Sequence, residues 1–259
     1  SHVDNCRRIG AWIGHRLGGA CVHNLWIPDG TKDFTVMRGR HRELLKNSLD
    51  RIYRRRFPSR HLKDSVESKL FGVGSETFVA GSHEFYLSYA LKRGLMVCLD
   101  MGHFHPTESV ADKISSILTF MPEVLLHVSR GVRWDSDHVV AFDDAVREVA
   151  CEVVRGGYLK RVNLALDYFD ASINRVAAWV IGARSLQKAL LYALLEPVER
   201  LKELEESGDS TGKLAVLEES RSMPLGPVWD YHCLKSGVPS DGRWMDEVRA
   251  YERKVLSGR

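Results

Sequence analysis

The feature that most narrows the fold is an alternation. Apolar runs of six or seven residues recur along the chain, separated by longer stretches with helical periodicity. The runs are Cys21–Ile27, Ser65–Phe71, Leu95–Asp100, Val124–Ser129 and Val162–Asp167. Helical patterns lie at His41–Arg56, Glu84–Lys92, Glu108–Phe120, Phe142–Arg155 and Ile173–Leu195. In the first of these, Leu45, Leu49, Ile52 and Tyr53 fall on one face, as a 3.6-residue period requires. Strand, helix, strand at this spacing predicts βαβ units and a parallel sheet. The runs are nearly continuous in apolar residues, which predicts strands buried on both faces.

Five such units fall short of an eight-stranded barrel, which typically needs about 250 residues for its eight units. A doubly wound sheet could use five strands but would usually carry a Gly-rich phosphate loop after one of them. Only Gly72-Val73-Gly74 approaches that pattern. The expected architecture is therefore α/β, of the (β/α)8 TIM-barrel type but incomplete, with about five units. After Leu195, Glu196-Pro197 punctuates the helical pattern, and charged helical segments follow without a strand. Residues 1–195 are read as the partial barrel. Residues 196–259 are read as a C-terminal helical extension in contact with the rest of the domain or a neighbouring subunit.

Composition excludes several classes. Of the residues, 44% are apolar and 27% charged, which argues against wholesale disorder. A net charge of +3 gives no reason to expect a nucleic-acid or membrane partner. Arg38, Arg40, Arg42 and Arg54-Arg55-Arg56 form a basic stretch, but it coincides with an intact amphipathic helix and reads as a solvated or intersubunit face. The five cysteines are odd in number and lack CxxC spacing, which predicts free thiols in a reducing, cytoplasmic setting. The chain opens on Ser1 directly in helical pattern, as expected of a processed start or of a stretch from a longer protein.

Polar residues gather where the runs end. Glu67 and Lys69 lie two apart and share a strand face. Asp100 ends its run and His103 follows, His127 interrupts VLLHVS, Asp135 and Asp137 stand in RWDSDH, and Asp167 ends VNLALD. At the C-terminal ends of barrel strands these positions face the mouth where active sites sit. Alone, each has an ordinary explanation, such as a helix cap or a core histidine. Together they are too many carboxylates for one cleft unless cations neutralise them. Oxygen and imidazole donors without thiolate point to Mn²⁺, Mg²⁺ or Co²⁺ rather than a structural zinc. Only His103 of the pair His103 and His105 is assigned as a ligand, since alternation would point the two apart.

The segments NLWIPDG, VESKLFG, LDMGHFHPTE, LLHVSR, RWDSDHVV and LDYFDASINR, in this order, resemble L-rhamnose isomerase. The resemblance implies a (β/α)8 barrel, a homotetramer, and interconversion of L-rhamnose and L-rhamnulose with two divalent ions, commonly Mn²⁺ (Co²⁺, Mg²⁺ or Zn²⁺ being alternatives). It implies that Glu67, Asp100, His127 and Asp167 hold one ion. His103, Asp135 and Asp137 would hold the other, with Asp100 between them and His103 also near the sugar. Lys69 would stabilise charge on the C1 oxygen and contact the sugar, and Asp167 would steer a water that shuttles the hydroxyl proton. Hydrogen would move from C2 to C1 as a hydride, with Trp26 as an apolar wall against the sugar.

The same resemblance starts in the helix before the fourth strand of such a barrel. The first three units and their sugar contacts are then expected to be absent, and the chain alone is expected to have little or no isomerase activity. Two alternatives stay open: a catalytically impaired metal-binding fragment, and a related aldose isomerase with another sugar preference.

Overall fold

The computed structural model describes residues 2–68, 76–105, 107–132, 137–170 and 172–258. Contacts divide the chain into two units: residues 1–138 with 159–169, and residues 139–158 with 170–259.

The first unit holds a five-stranded parallel sheet. Its strands are β1 (Cys21–Leu25), β2 (Leu62–Glu67), β3 (Met96–Asp100), β4 (Val124–Val128) and, after a short antiparallel ribbon of β5 (Arg130–Gly131) and β6 (Asp137–His138), β7 (Val162–Leu166). The sheet order is β1-β2-β3-β4-β7, every neighbour parallel. That order follows the chain without reversal. A doubly wound sheet reverses at a switch point, so the winding is that of a barrel wall. Helices α1 (His2–Leu17), α2 (Arg38–Ile52), α3 (His83–Arg93) and α4 (Ala111–Leu118) belong to this unit. Leu49 and Tyr53 are fully buried, as the periodicity of the first helical pattern predicts. Ser82 caps α3 by accepting from the Phe85 backbone N–H, and Gly94 closes it in the left-handed conformation.

The second unit is helical among its described residues: α5 (Asp144–Arg155), α6 (Arg175–Leu195), α7 (Val198–Glu206), α8 (Ser210–Arg221), α9 (Leu225–Lys235) and α10 (Trp244–Tyr251). Within it α5 packs on α6, and the Arg155 guanidinium grips Glu196 through two bonds of 2.8 and 2.7 Å. No helix among the described residues is long and apolar enough to cross a membrane.

Two features differ from the sequence expectation. The second strand runs Leu62–Glu67 rather than Ser65–Phe71, of which 69–71 lie outside the described residues, as do Gly72-Val73-Gly74. Lys63 and Asp64, both charged, lie ahead of the run read from the sequence yet belong to the strand. Each is paired at long range, Lys63 with Glu123 at 2.7 Å and Asp64 with Arg7. The sheet faces also differ in chemistry. Val66, Val97, Leu99, Leu126 and Val128 give one face a buried aliphatic stretch, with His23 and Asp64 on the same face nearer the start of its strands. The alternate residues Asn24, Ser65, Glu67, Cys98, Asp100 and His127 make the other face polar, although most are equally buried.

Helix α1 meets the sheet unexpectedly. Its buried residues are Arg7, Gly10 and Gly14, while Trp12 and Leu17 face outward. A Cβ on Gly14 would lie 2.0 Å from the His61 carbonyl oxygen, so only glycine permits this approach. Arg7 is wholly buried. It binds Asp64 through Nε at 2.8 Å and Nη2 at 2.7 Å, and donates to the Ile52 and Arg55 carbonyls.

Candidate metal centre

Strand register assembles the site. Residues in register on neighbouring parallel strands share a face, and alternation continues that face every second residue. Glu67 stands beside Cys98 and Asp100 beside His127. His127 stands beside Ala165, two residues before Asp167. The C-terminal ends of four adjacent strands thus deliver Glu67, Asp100, His127 and Asp167 to one edge. Their donor atoms lie within 4.8 Å of one another.

Three carboxylate oxygens converge on one ring nitrogen. Asp167 Oδ2, Asp100 Oδ2 and Glu67 Oε1 lie 2.9, 3.3 and 3.4 Å from His127 Nδ1. A single N–H cannot satisfy three acceptors. Indeed Glu67 Oε1, Asp100 Oδ2 and His127 Nδ1 are buried without a hydrogen-bond partner. The opposite oxygen of each buried carboxylate is fixed. Asp100 Oδ1 accepts from the Gly102 N–H at 2.7 Å and the Ser129 hydroxyl at 2.9 Å. Glu67 Oε2 accepts from the Asn24 side-chain amide. Each carboxylate is therefore anchored by one oxygen and presents the other to its neighbours. Donors bound at about 2.1 Å to one ion lie about 3.0–3.4 Å apart, and the site fits a divalent cation on that spacing and on its donor chemistry.

A second group adjoins the first through Asp100, joined by His103 and Asp137. His103 sits in the turn after β3, its N–H bonded to the Asp100 carbonyl at 3.2 Å. Its Nδ1 donates to the Ser68 carbonyl at 3.2 Å, leaving Nε2 3.6 Å from Asp137 Oδ2. A ring N–H tied to the backbone fixes the tautomer and frees the other nitrogen as a ligand. His105 turns instead to the Thr107 hydroxyl, 2.6 Å from its Nδ1. The expected separation of these histidines holds, but the turn causes it, not strand alternation. A Cβ on Gly102 would come 2.0 Å from Asp137 Oδ1, so this glycine admits the Asp137 carboxylate.

The electrostatics match a site built for cations. Burial pulls the His103 imidazole toward neutrality, but the Asp137 contact and the charges of Asp100 and Glu67 outweigh it and raise its pKa to about 9. Burial acts likewise on His127, and Asp100 and Asp167 more than reverse it. Burial pushes Asp100 upward, yet His127, His103 and the Gly102 N–H hold it below the usual carboxylate range. With no ion bound, the surrounding carboxylates thus favour the protonated form of both imidazoles, and an ion must displace those protons. Binding is therefore expected to strengthen as pH rises toward about 9, by roughly tenfold per pH unit for each proton displaced. Calorimetry of Mn²⁺ binding in buffers of different ionisation enthalpy counts the protons released. A pH-independent affinity between 6 and 9 would contradict this electrostatic account.

Of the residues singled out in sequence, Glu67, Asp100, His103, His127, Asp137 and Asp167 come together. Lys69 and Asp135 lie outside the described residues. Trp26 stands one residue beyond β1 and is 40% exposed. Sequence reasoning passed over Asn24, Cys98 and Ser129. Asn24 and Cys98 carry a usable signal, being the polar members of apolar runs at alternate positions. Ser129 carries none, since serine is common at strand ends.

Comparison with known proteins bears on this arrangement directly. A family model described as L-rhamnose isomerase (RhaA) matches residues 1–259. The L-rhamnose isomerase of Rhodopirellula baltica is 54% identical over 258 residues, covering 100% of this chain and 60% of that protein. Those of Salmonella newport and Salmonella paratyphi A are each 52% identical over 260 residues, covering 99% of this chain and 62% of theirs. The chain thus spans about three-fifths of the length of these curated relatives. On a match that runs from its first residue to its last, the chain belongs to the L-rhamnose isomerase family.

Proposed function

We propose that this chain carries the ion-holding part of an aldose–ketose isomerase, an intramolecular oxidoreductase that interconverts L-rhamnose and L-rhamnulose in L-rhamnose catabolism. The observation that supports it most is the convergence of anchored carboxylates on His127 in a chain matched to this family along its whole length. Two divalent ions, Mn²⁺ foremost, would supply Lewis-acid polarisation of two neighbouring oxygens on an open-chain sugar.

The chain's own residues have distinct tasks in this reading. Glu67, Asp100, His127 and Asp167 hold one ion. His103, Asp137 and, on the sequence alone, Asp135 hold the other, with Asp100 between them and His103 close to the sugar. Asp167 is the half-exposed member of its group, with 53% of its side chain open, and so can pass a proton between a sugar hydroxyl and water. Lys69, also on sequence grounds, offsets negative charge at the C1 oxygen. Trp26 gives the sugar an apolar wall. Residues 1–195 act as barrel wall, and residues 196–259 contact a neighbouring subunit in a cytoplasmic homotetramer.

The test is turnover. The 259 residues alone are expected to bind Mn²⁺ and to isomerise L-rhamnose weakly or not at all, because the five-stranded sheet of the described residues falls short of an eight-stranded barrel. Fusion to the part of the Rhodopirellula baltica relative outside the match is expected to give Mn²⁺-dependent formation of L-rhamnulose, followed by proton NMR. A fusion that folds and binds Mn²⁺ yet isomerises another aldose in preference to L-rhamnose would overturn the assignment of the sugar.

A further inference from the structure

We propose that the outward face of α9 is a seam for a second copy of this chain, the two α9 helices lying side by side and parallel about a twofold axis. The proposal rests on the reading of residues 196–259 as a subunit contact, and gives that contact its surface and its orientation. The inner face of α9 is already occupied. Trp229 and Cys233 are buried there, and α9 packs on α6. The Arg184 guanidinium and the Lys188 ammonium lie 5.0 and 5.2 Å from the centre of the Trp229 ring. The opposite face carries Pro227, Tyr231 and Leu234, all exposed, Tyr231 to 65% and Leu234 to 77%. A contiguous apolar stripe on an outer face marks an interaction surface, whereas scattered single residues would not.

Spacing and charge say what fits. Residues 227, 231, 234 and 238 are separated by four, three and four, the a/d spacing of a coiled-coil seam. Val238 is exposed at the turn that closes the helix. On that frame Trp229 and Cys233 fall at f and c, away from the seam, as their burial requires. Asp230 falls at g and Lys235 at e. Both are exposed, and neither is held in an ion pair among the described residues. In a parallel pair, the g residue of one helix faces the e residue of the next heptad on the other, and such charges set partner and orientation. Asp230 then meets Lys235 of the second copy, twice across the axis. An antiparallel pair would set Asp230 beside its own image and Lys235 beside its own, so charge selects the parallel arrangement. One helix carries both halves of the match, and the occupant it fits is a second copy. An isolated helix of 11 residues is marginal in water. Here the buried inner face holds α9 in place beforehand, which lowers the ordering cost of association.

Sedimentation equilibrium of the whole chain and its variants tests the proposal. The wild type is expected to associate reversibly. Leu234→Asp places a charge in the seam and is expected to weaken association by more than about 100-fold. Asp230→Lys sets Lys against Lys twice, and Lys235→Asp sets Asp against Asp twice, so each alone is expected to weaken it about tenfold. Mixed in equal amounts, these two variants regain opposite charges at both contacts and are expected to associate as the wild type does. That recovery also shows both to be folded, and it decides the matter should Leu234→Asp fail to fold. A wild-type chain that stays monomeric overturns this seam together with the subunit-contact reading. Association left intact in all three variants overturns the seam alone. So does a loss in the two charge variants that their mixture does not recover.

Discussion

Asp100→Asn is expected to weaken Mn²⁺ binding by more than about 100-fold, the upper end of what loss of an outer-shell partner costs a metal site. Asp100 belongs to both donor groups. Its Oδ1 is committed to the Gly102 N–H and the Ser129 hydroxyl, and an asparagine oxygen would keep those bonds. The substituted NH₂ would then occupy the place of Oδ2, presenting hydrogen-bond donors where an ion needs a lone pair. The NH₂ would also face the His127 N–H, 3.3 Å from Oδ2, so a modest loss of metal-free stability is expected alongside. Mn²⁺ at a hundredfold its Kd stabilises the wild type by about 2.7 kcal/mol for one site, and that increment should vanish in the variant. Calorimetric titration with thermal unfolding checks both halves. Unchanged Mn²⁺ affinity would remove Asp100 from the site.

Arg7→Met should be the most destabilising single change away from the site, by about 3–5 kcal/mol. The methionine can fill the stem of the arginine but leaves Asp64 unpaired, with only 8% of its side chain exposed. His23 Nδ1, 3.6 Å from Asp64, gives little help. Burial, and Arg7 itself, lower the His23 pKa in the wild type, so His23 is a weak replacement for the guanidinium. The Ile52 and Arg55 carbonyls lose their donor as well. The double change Arg7→Met with Asp64→Leu removes the stranded charge and should recover a good part of the loss. Urea unfolding of the wild type, both single variants and the double variant measures the coupling. A double variant as unstable as the sum of the singles would show that the two residues act independently.

The contrast between these residues shows what the sequence could carry. The strands at 96, 124 and 162 were legible to within a residue at either end, because apolar runs bounded by polar residues signal buried strands through local pattern alone. The six described site residues were legible for a related reason. A charged or imidazole side chain ending an apolar run is costly unless something binds it. Arg7 was not legible. An arginine within an N-terminal helix pattern looks solvated, and its partner lies 57 residues away. The start of β2 was missed for the same cause, since Lys63 and Asp64 are admitted to a strand only by partners at Glu123 and Arg7. The polar face of the sheet was half visible: Asn24 and Cys98 fall on the right alternation, but nothing local says that Asn24 anchors Glu67.

The central claim is that these carboxylates and imidazoles form a paired divalent-ion centre, and counting the ions tests it most directly. Equilibrium dialysis of the metal-free chain against Mn²⁺ at pH 8 should give two ions bound per chain, with neither retained at the same free concentration in Asp100→Asn. No bound Mn²⁺, or two ions held equally well by Asp100→Asn, would contradict it.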